Sequence, residues 1–234
     1  MADILNFAKI TSLALADSVN PCALAVLTMV LVSIIIADPK NRKKVLLGGF
    51  SFTSAVYIGY LFYGLVLIQF FNSFTVFMKT NSVYVYTALG GLAMILGVLN
   101  IKDYFDYRPG NFATEMPFMM RPKVKKLIGE ITSPWSAFII GFLVTVFLLP
   151  CTIGPYIVAT GLIHELGWIK VIPWLLYYNF VFVLPMIAIT FIVYFGFAKV
   201  EDVSGWRERN IKRLHLIAGV LLFIIGLIMV MGWL

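Results

Sequence analysis

Six long apolar stretches, separated by short polar segments, dominate the pattern of the chain. They cover about residues 10–36, 45–71, 83–101, 136–163, 169–196 and 211–233. A bilayer core is crossed by roughly 20 consecutive apolar residues in helical form. Barrel strands would instead be short and would alternate between apolar and polar residues. The pattern therefore predicts an all-α integral membrane protein with six transmembrane helices.

The composition agrees with a membrane protein. Hydrophobic residues make up 61% of the chain and charged residues 12%, whereas about a quarter of the residues in soluble domains are charged. A net charge of +7 would suggest nucleic-acid binding in a soluble protein. Here the basic residues lie in the loops, so no nucleic-acid partner is expected and the lipid bilayer is the expected environment. We interpret the 20 Phe and 11 Tyr as packing and lipid-facing side chains.

Positive charge is distributed unevenly among the loops. Fifteen of the 18 Lys and Arg residues lie in, or at the edges of, the loops between the first and second, third and fourth, and fifth and sixth stretches. The other three are Lys9, Lys79 and Lys170. Cytoplasmic loops carry an excess of Lys and Arg. The pattern therefore predicts a multi-pass protein of the cell membrane, with these three loops in the cytoplasm and both termini outside.

A weak internal repeat relates the two halves of the chain. At an offset of 129 residues, the matching positions are Pro21 with Pro150, Cys22 with Cys151, Gly90 with Gly219, Ile95 with Ile224 and Gly97 with Gly226. With three spans per half, the second half starts on the opposite side of the membrane, so the repeat must be inverted. We expect one three-helix repeat at 1–101, a cytoplasmic connecting loop at 102–133 and a second repeat at 134–234. The glycines are candidates for packing within the chain or for a dimer face.

The two cysteines each follow a proline near the middle of a predicted helix. Proline inside a helix removes a hydrogen bond and clashes with the preceding turn, so Pro21 and Pro150 predict breaks in the first and fourth helices. Cys22 and Cys151 would then lie in the first turn of a new half-helix, where the helix dipole favours a thiolate. A buried cysteine is also a common structural residue. The matching register of the two pairs nevertheless favours a redox site.

Further polar or helix-breaking residues lie close to the cysteines. Gly154 and Pro155 are expected to loosen the outer half of the fourth helix, and Asn20 and Asp17 precede the first cysteine. Asp17 is the only carboxylate inside a predicted span. An intramembrane acid marks a functional site, here a proton acceptor, although a shallow, solvated position is the alternative. In the fifth span, Asn179 is expected to hydrogen-bond to a neighbouring helix.

With these features the chain resembles the CcdA family and, more broadly, the transmembrane domain of DsbD. The resemblance extends over the whole chain in its topology and in its two Pro-Cys pairs. The run PCTIGP at 150–155 is similar to the family's second motif. The run NPCAL at 20–24 is similar to the first motif, but Ala23 and Leu24 stand where that family often has further prolines.

The resemblance implies a transmembrane thiol–disulfide electron transporter that supports cytochrome c maturation. A Cys22–Cys151 disulfide would accept electrons from cytoplasmic thioredoxin. The resulting dithiol would reduce an extracytoplasmic thioredoxin-like or cytochrome c maturation protein. The two cysteines would be the catalytic residues, and no bound cofactor or metal would be needed. The residues expected to support them are Asp17, Asn20, Pro21, Pro150, Gly154 and Pro155.

Two other functions stay open on the sequence. A small-solute transporter of the inverted-repeat type would use a midplane cavity and would retain its activity without the cysteines. A quinone-linked disulfide oxidase would need an additional external cysteine pair, and the chain has only two cysteines.

Overall fold

The described part of the chain is all-helical. The computed structural model describes residues 2–18, 21–38, 41–73, 82–106, 119, 121–163, 168–196 and 200–231. Within these ranges the helices are α1 (Ala2–Ser18), α2 (Pro21–Ala37), α3 (Arg42–Ser73), α4 (Ser82–Phe105), α5 (Arg121–Gly129), α6 (Pro134–Ile163), α7 (Trp168–Phe195) and α8 (Val200–Val230). The predicted all-α class is confirmed for these residues.

The long helices have the length and composition of membrane spans. By these criteria Arg42–Ser73, Thr87–Phe105, Lys170–Phe195 and Glu208–Val230 can each cross a bilayer, and α1 and α2 together form a fifth, bent candidate. The outer surface is apolar as well, since Ile36 is 74% exposed and Phe105 is 76% exposed. Helices that are apolar all round are typical of membrane spans. The chain is therefore a multi-pass membrane protein.

The described helices give fewer spans than the six predicted. In α6 the apolar segments whose side chains are described, Pro134–Leu148 and Gly154–Ile163, are each shorter than a full span. The described residues therefore supply four spans, or five if the bent pair is one span.

The prediction of two proline-broken helices agrees with the fold at one site and differs at the other. The first span is interrupted between α1 and α2, and the segments Phe7–Ser18 and Cys22–Ala37 meet at a bend of 49°. By contrast, α6 continues through Pro150 and Pro155 as one helix of 30 residues. Proline deletes one hydrogen-bond donor and crowds one carbonyl. In a membrane bundle, neighbouring helices can compensate for this loss, so the helix need not break.

The segment predicted as a connecting loop contains a helix. In α5, Val124 and Ile128 are each 2% exposed, whereas Lys123, Lys125 and Lys126 are exposed. The helix packs against α2 and α6. Thus α5 is amphipathic, with an apolar face buried on the bundle and exposed positions that carry its lysines.

Glycines bring α4 and α8 into close contact. A Cβ atom added at Gly97 would lie 2.8 Å from the carbonyl oxygen of Gly219, and one added at Gly90 would lie 2.9 Å from that of Gly226. The residue numbers rise along one helix as they fall along the other, so the helices are antiparallel. Of the two roles expected for these glycines, packing within the chain is the one observed.

Candidate functional site

A buried carboxyl group lies at the bend between α1 and α2. Asp17 occupies the last turn of α1 and is 1% exposed, so its side chain is enclosed by the protein and not solvated. Its Oδ2 atom accepts a hydrogen bond of 3.1 Å from the Tyr178 hydroxyl of α7. Among the described residues, Oδ1 has no hydrogen-bond partner. One half of this carboxyl group is thus fixed by α7, and the other half faces the interior without a described donor.

Tyr178 belongs to a cluster of buried aromatic and amide side chains. Its ring centroid lies 5.2 Å from that of Tyr156 on α6. The Tyr156 hydroxyl donates to the backbone carbonyl of Tyr60 on α3 and accepts a hydrogen bond of 3.2 Å from Asn179 Nδ2 on α7. The hydroxyl groups of Tyr60 and Thr152 are 2.7 Å apart and share a hydrogen bond. The prediction that Asn179 bonds to another helix is confirmed.

This buried cluster, which we call the polar centre, consists of Asp17, Tyr60, Thr152, Tyr156, Tyr178 and Asn179. It joins α1, α3, α6 and α7. Burying polar groups without partners costs free energy, whereas partnered groups add specific interhelical contacts. Thr152 also bonds within α6, to the carbonyl of Leu148 at 3.2 Å. The polar centre therefore holds four helices in register at the point where the first span bends.

The structure does not test whether the two predicted catalytic cysteines meet, because the side chain of Cys151 lies outside the described residues. Cys22 is the second residue of α2, next to Pro21 at its start, and it is 8% exposed within the apolar core. Pro150 and Cys151 lie in the helical backbone of α6, but their side chains lie outside the described residues. The side chain of Pro21 and all of Asn20 also lie outside them. A catalytic role for the two cysteines stays a prediction from the sequence.

The remaining predicted residues lie in the packed part of α6. Gly154 and Pro155 are buried, and a Cβ atom at Gly154 would clash with Leu96 of α4. Gly154 therefore serves close approach between α6 and α4. The loosened half-helix expected at these two residues is not observed, because α6 is continuous there.

Sequence reasoning missed the tyrosines of the polar centre. Tyr60, Tyr156 and Tyr178 were indistinguishable from the other tyrosines, which were interpreted as packing material. The available signal was the stretch around Asn179, where Tyr178 immediately precedes a polar residue in an apolar span. Chemically, the polar centre offers hydroxyl, amide and carboxyl groups that can hydrogen-bond a polar group brought into the bundle.

Comparison with known proteins gives one family. The model of SfLAP, described as Sap, sulfolipid-1-addressing protein, matches residues 10–233. No curated protein and no solved structure matches the chain.

The family match overturns the resemblance to CcdA and DsbD. SfLAP is a different family, so the assignment as a thiol–disulfide electron transporter in cytochrome c maturation is wrong. The small-solute transporter proposed as the alternative gains no clear support either. Two Pro-Cys dipeptides carried the erroneous resemblance, whereas the family model draws on nearly the whole chain. On that match, the chain belongs to the Sap, sulfolipid-1-addressing protein family.

Proposed function

We propose that the chain is a membrane protein that delivers an acidic lipid to the outer side of the membrane. The single observation that carries this proposal is the family match over residues 10–233. The family's name refers to the addressing of a sulfolipid, a lipid with a sulfur-containing acidic group. A protein that handles such a lipid has to accept an apolar chain and a charged headgroup together. A multi-pass bundle with polar groups inside it supplies both environments.

The proposal includes six spans arranged as two inverted repeats, with the 30-residue helix α6 as one of the six. The glycine contacts between α4 and α8 support it. Gly90 lies against Gly226, the repeat equivalent of Gly97, and Gly97 lies against Gly219, the repeat equivalent of Gly90. Such reciprocal contacts are the signature of a two-fold axis. A pseudo-two-fold axis between α4 and α8 is what two inverted halves require.

The proposed orientation follows the loop charges. The basic segments before α3, around α5 and at the start of α8 would lie in the cytoplasm, with both termini outside. In this arrangement residues 1–101 and 134–234 form the two halves and 102–133 connects them. The exposed lysines of α5 would face the inner surface of the membrane.

The polar centre gives the lipid headgroup a route past the apolar core. A charged group crossing the bilayer needs polar partners inside the bundle. The hydroxyl groups of Tyr156 and Tyr178 and the amide of Asn179 supply hydrogen-bond donors close to the bend between α1 and α2, where the helix is already interrupted. The acyl chains can stay in the surrounding lipid while the headgroup passes. The bend is the natural place for α1 and α2 to move relative to each other.

The lipid preference of the purified protein tests this function. The protein is reconstituted in vesicles of phosphatidylcholine with a minor fraction of phosphatidylglycerol, matched in acyl chains, and is then extracted in mild detergent. The lipids that remain bound are quantified. We expect phosphatidylglycerol to be enriched over its fraction in the vesicles. Retention in proportion to the vesicle composition would contradict an acidic-lipid protein.

A further inference from the structure

A cavity separate from the polar centre opens between α2, α5 and α8. Its volume is about 520 Å³, within the roughly 300–1,000 Å³ of ordinary ligand sites. The lining includes Met29, Val32 and Ser33 of α2, Lys125 of α5, and Ser204 and Glu208 of α8. These segments adjoin the basic loops, so the cavity lies at the end of the bundle that is proposed to face the cytoplasm.

The lining combines an apolar wall with a polar one. Met29, Val32 and Ile128 offer hydrocarbon surface, and the side chain of Met29 is 42% exposed. Ser33, Ser204 and Glu208 offer groups that hydrogen-bond hydroxyls. Thr28 is already bonded to the carbonyl of Ala25 at 2.8 Å and contributes mainly its methyl group. An amphiphile with a hydroxylated headgroup matches this division.

The basic residue of the lining is Lys125. Its side chain is exposed and contributes to the cavity lining, while Val124 and Ile128 anchor α5 to the bundle. Lys123 and Lys126 are also exposed on α5, but neither lines the cavity. A lipid bound in the cavity would therefore contact Lys125 and not Lys123 or Lys126. The general attraction of a basic helix for an acidic membrane surface would involve all three lysines alike.

We propose that this cavity is the site that captures the lipid from the inner leaflet. It takes one lipid whose headgroup carries both an acidic group and hydroxyl groups. Lys125 binds the acidic group, Ser204 and Glu208 bind hydroxyls, and one acyl chain lies along Met29 and Val32. The inference rests on the proposed function and assigns the place and the headgroup chemistry of its first binding step.

The probe for this site is phosphatidylglycerol, which has an acidic phosphate and two hydroxyl groups. Wild-type protein and variants are extracted from phosphatidylcholine vesicles that contain it, and bound phosphatidylglycerol is counted per protein. Lys125→Glu is expected to retain about tenfold less, as expected when a charge-assisted hydrogen bond is lost. Lys123→Glu makes the same charge change two residues away and is expected to retain the wild-type amount.

A second pair of variants tests the acyl-chain wall without changing charge. Val32→Trp fills the cavity and is expected to reduce retention. Ile36→Trp introduces the same side chain one turn further along α2, at a residue that is 74% exposed and does not line the cavity, and should have no effect.

The outcomes separate the site from the function. Equal loss in Lys125→Glu and Lys123→Glu would show surface attraction only and would overturn the site. Retention in all four variants would place the lipid elsewhere, which overturns the site and leaves the proposed function standing. If the wild type itself shows no preference for phosphatidylglycerol over phosphatidylcholine, both the function and the site fail.

Discussion

Tyr178 of α7 donates a hydrogen bond of 3.1 Å to Asp17 of α1, across 161 residues of sequence. Both side chains are buried, and Asp17 lies where the first span bends. A second bond nearby, of 3.0 Å between the hydroxyls of Thr11 and Tyr177, joins the same two helices. These two bonds hold the C-terminal half of α1 against α7, and the bond at Asp17 does so directly at the bend.

Removal of the Tyr178 hydroxyl tests the importance of this bond. In Tyr178→Phe, neither oxygen of Asp17 has a partner among the described residues, and a buried acceptor without its bond costs about 1–3 kcal/mol. We expect a lower thermal unfolding temperature in detergent. Tyr84→Phe is the control, because Tyr84 is 77% exposed and its change should be neutral. Equal unfolding temperatures for the two variants would show that the bond does not stabilise the fold.

The adjacent residues Gly90 and Gly91 provide a matched test of the contact between α4 and α8. A Cβ atom at Gly90 would meet the Gly226 carbonyl oxygen at 2.9 Å, whereas one at Gly91 has nothing within 4 Å. Gly90→Ala should therefore destabilise the protein by about 1–3 kcal/mol through overpacking. Gly91→Ala should be neutral or slightly stabilising, because alanine favours the helix. The measurement is the thermal unfolding temperature of the two variants. An equal loss of stability in Gly90→Ala and Gly91→Ala would contradict the close approach of α4 and α8 at Gly90.

The proposed orientation is checked by labelling single cysteines with an impermeant maleimide on intact cells. The background is Cys22→Ala with Cys151→Ala. Lys43→Cys and Lys125→Cys, in the basic segments, should react only after the membrane is opened. Lys170→Cys, on the other side, should react in intact cells. The reverse labelling pattern would show that the protein has the opposite orientation. Reaction of all three cysteines in intact cells would contradict the proposal that the basic segments and Lys170 lie on opposite sides of the membrane.

Both cysteines should be dispensable for lipid delivery. Cys22 is packed in the apolar core at 8% exposure, and its change to alanine removes one sulfur atom from that packing. The variant Cys22→Ala with Cys151→Ala is expected to deliver acidic lipid to the cell surface as the wild type does. If delivery is lost while the protein stays folded in the membrane, the cysteines take part in the function after all.

The sequence predicted the parts of this fold that depend on local pattern. Long apolar stretches are sufficient to indicate membrane helices, and Pro21 marked the break before α2. The same rule failed at Pro150, because whether a helix breaks at proline depends on neighbouring helices that local sequence does not specify. The helix α5 was missed because nine residues, several of them basic, give only a short amphipathic pattern within a polar segment.

Only some residues of the polar centre could be predicted from the sequence. Asp17 and Asn179 stood out because charged and amide groups are rare in apolar spans. Their partners Tyr178 and Tyr156 did not, since a buried tyrosine that donates a hydrogen bond has the same local sequence as one that faces lipid. Two Pro-Cys dipeptides were likewise too short to identify a family. Only the pattern over residues 10–233 distinguished this family from CcdA.

The distribution of acidic lipids in cells tests the central claim most directly. The measurement compares acidic lipid at the cell surface with the total in wild-type cells, in cells that lack this gene and in cells complemented with the wild-type chain. We expect acidic lipid to be depleted from the surface and retained inside when the gene is absent, and the wild-type chain to restore it. An unchanged distribution in cells without the gene would contradict a role in lipid delivery.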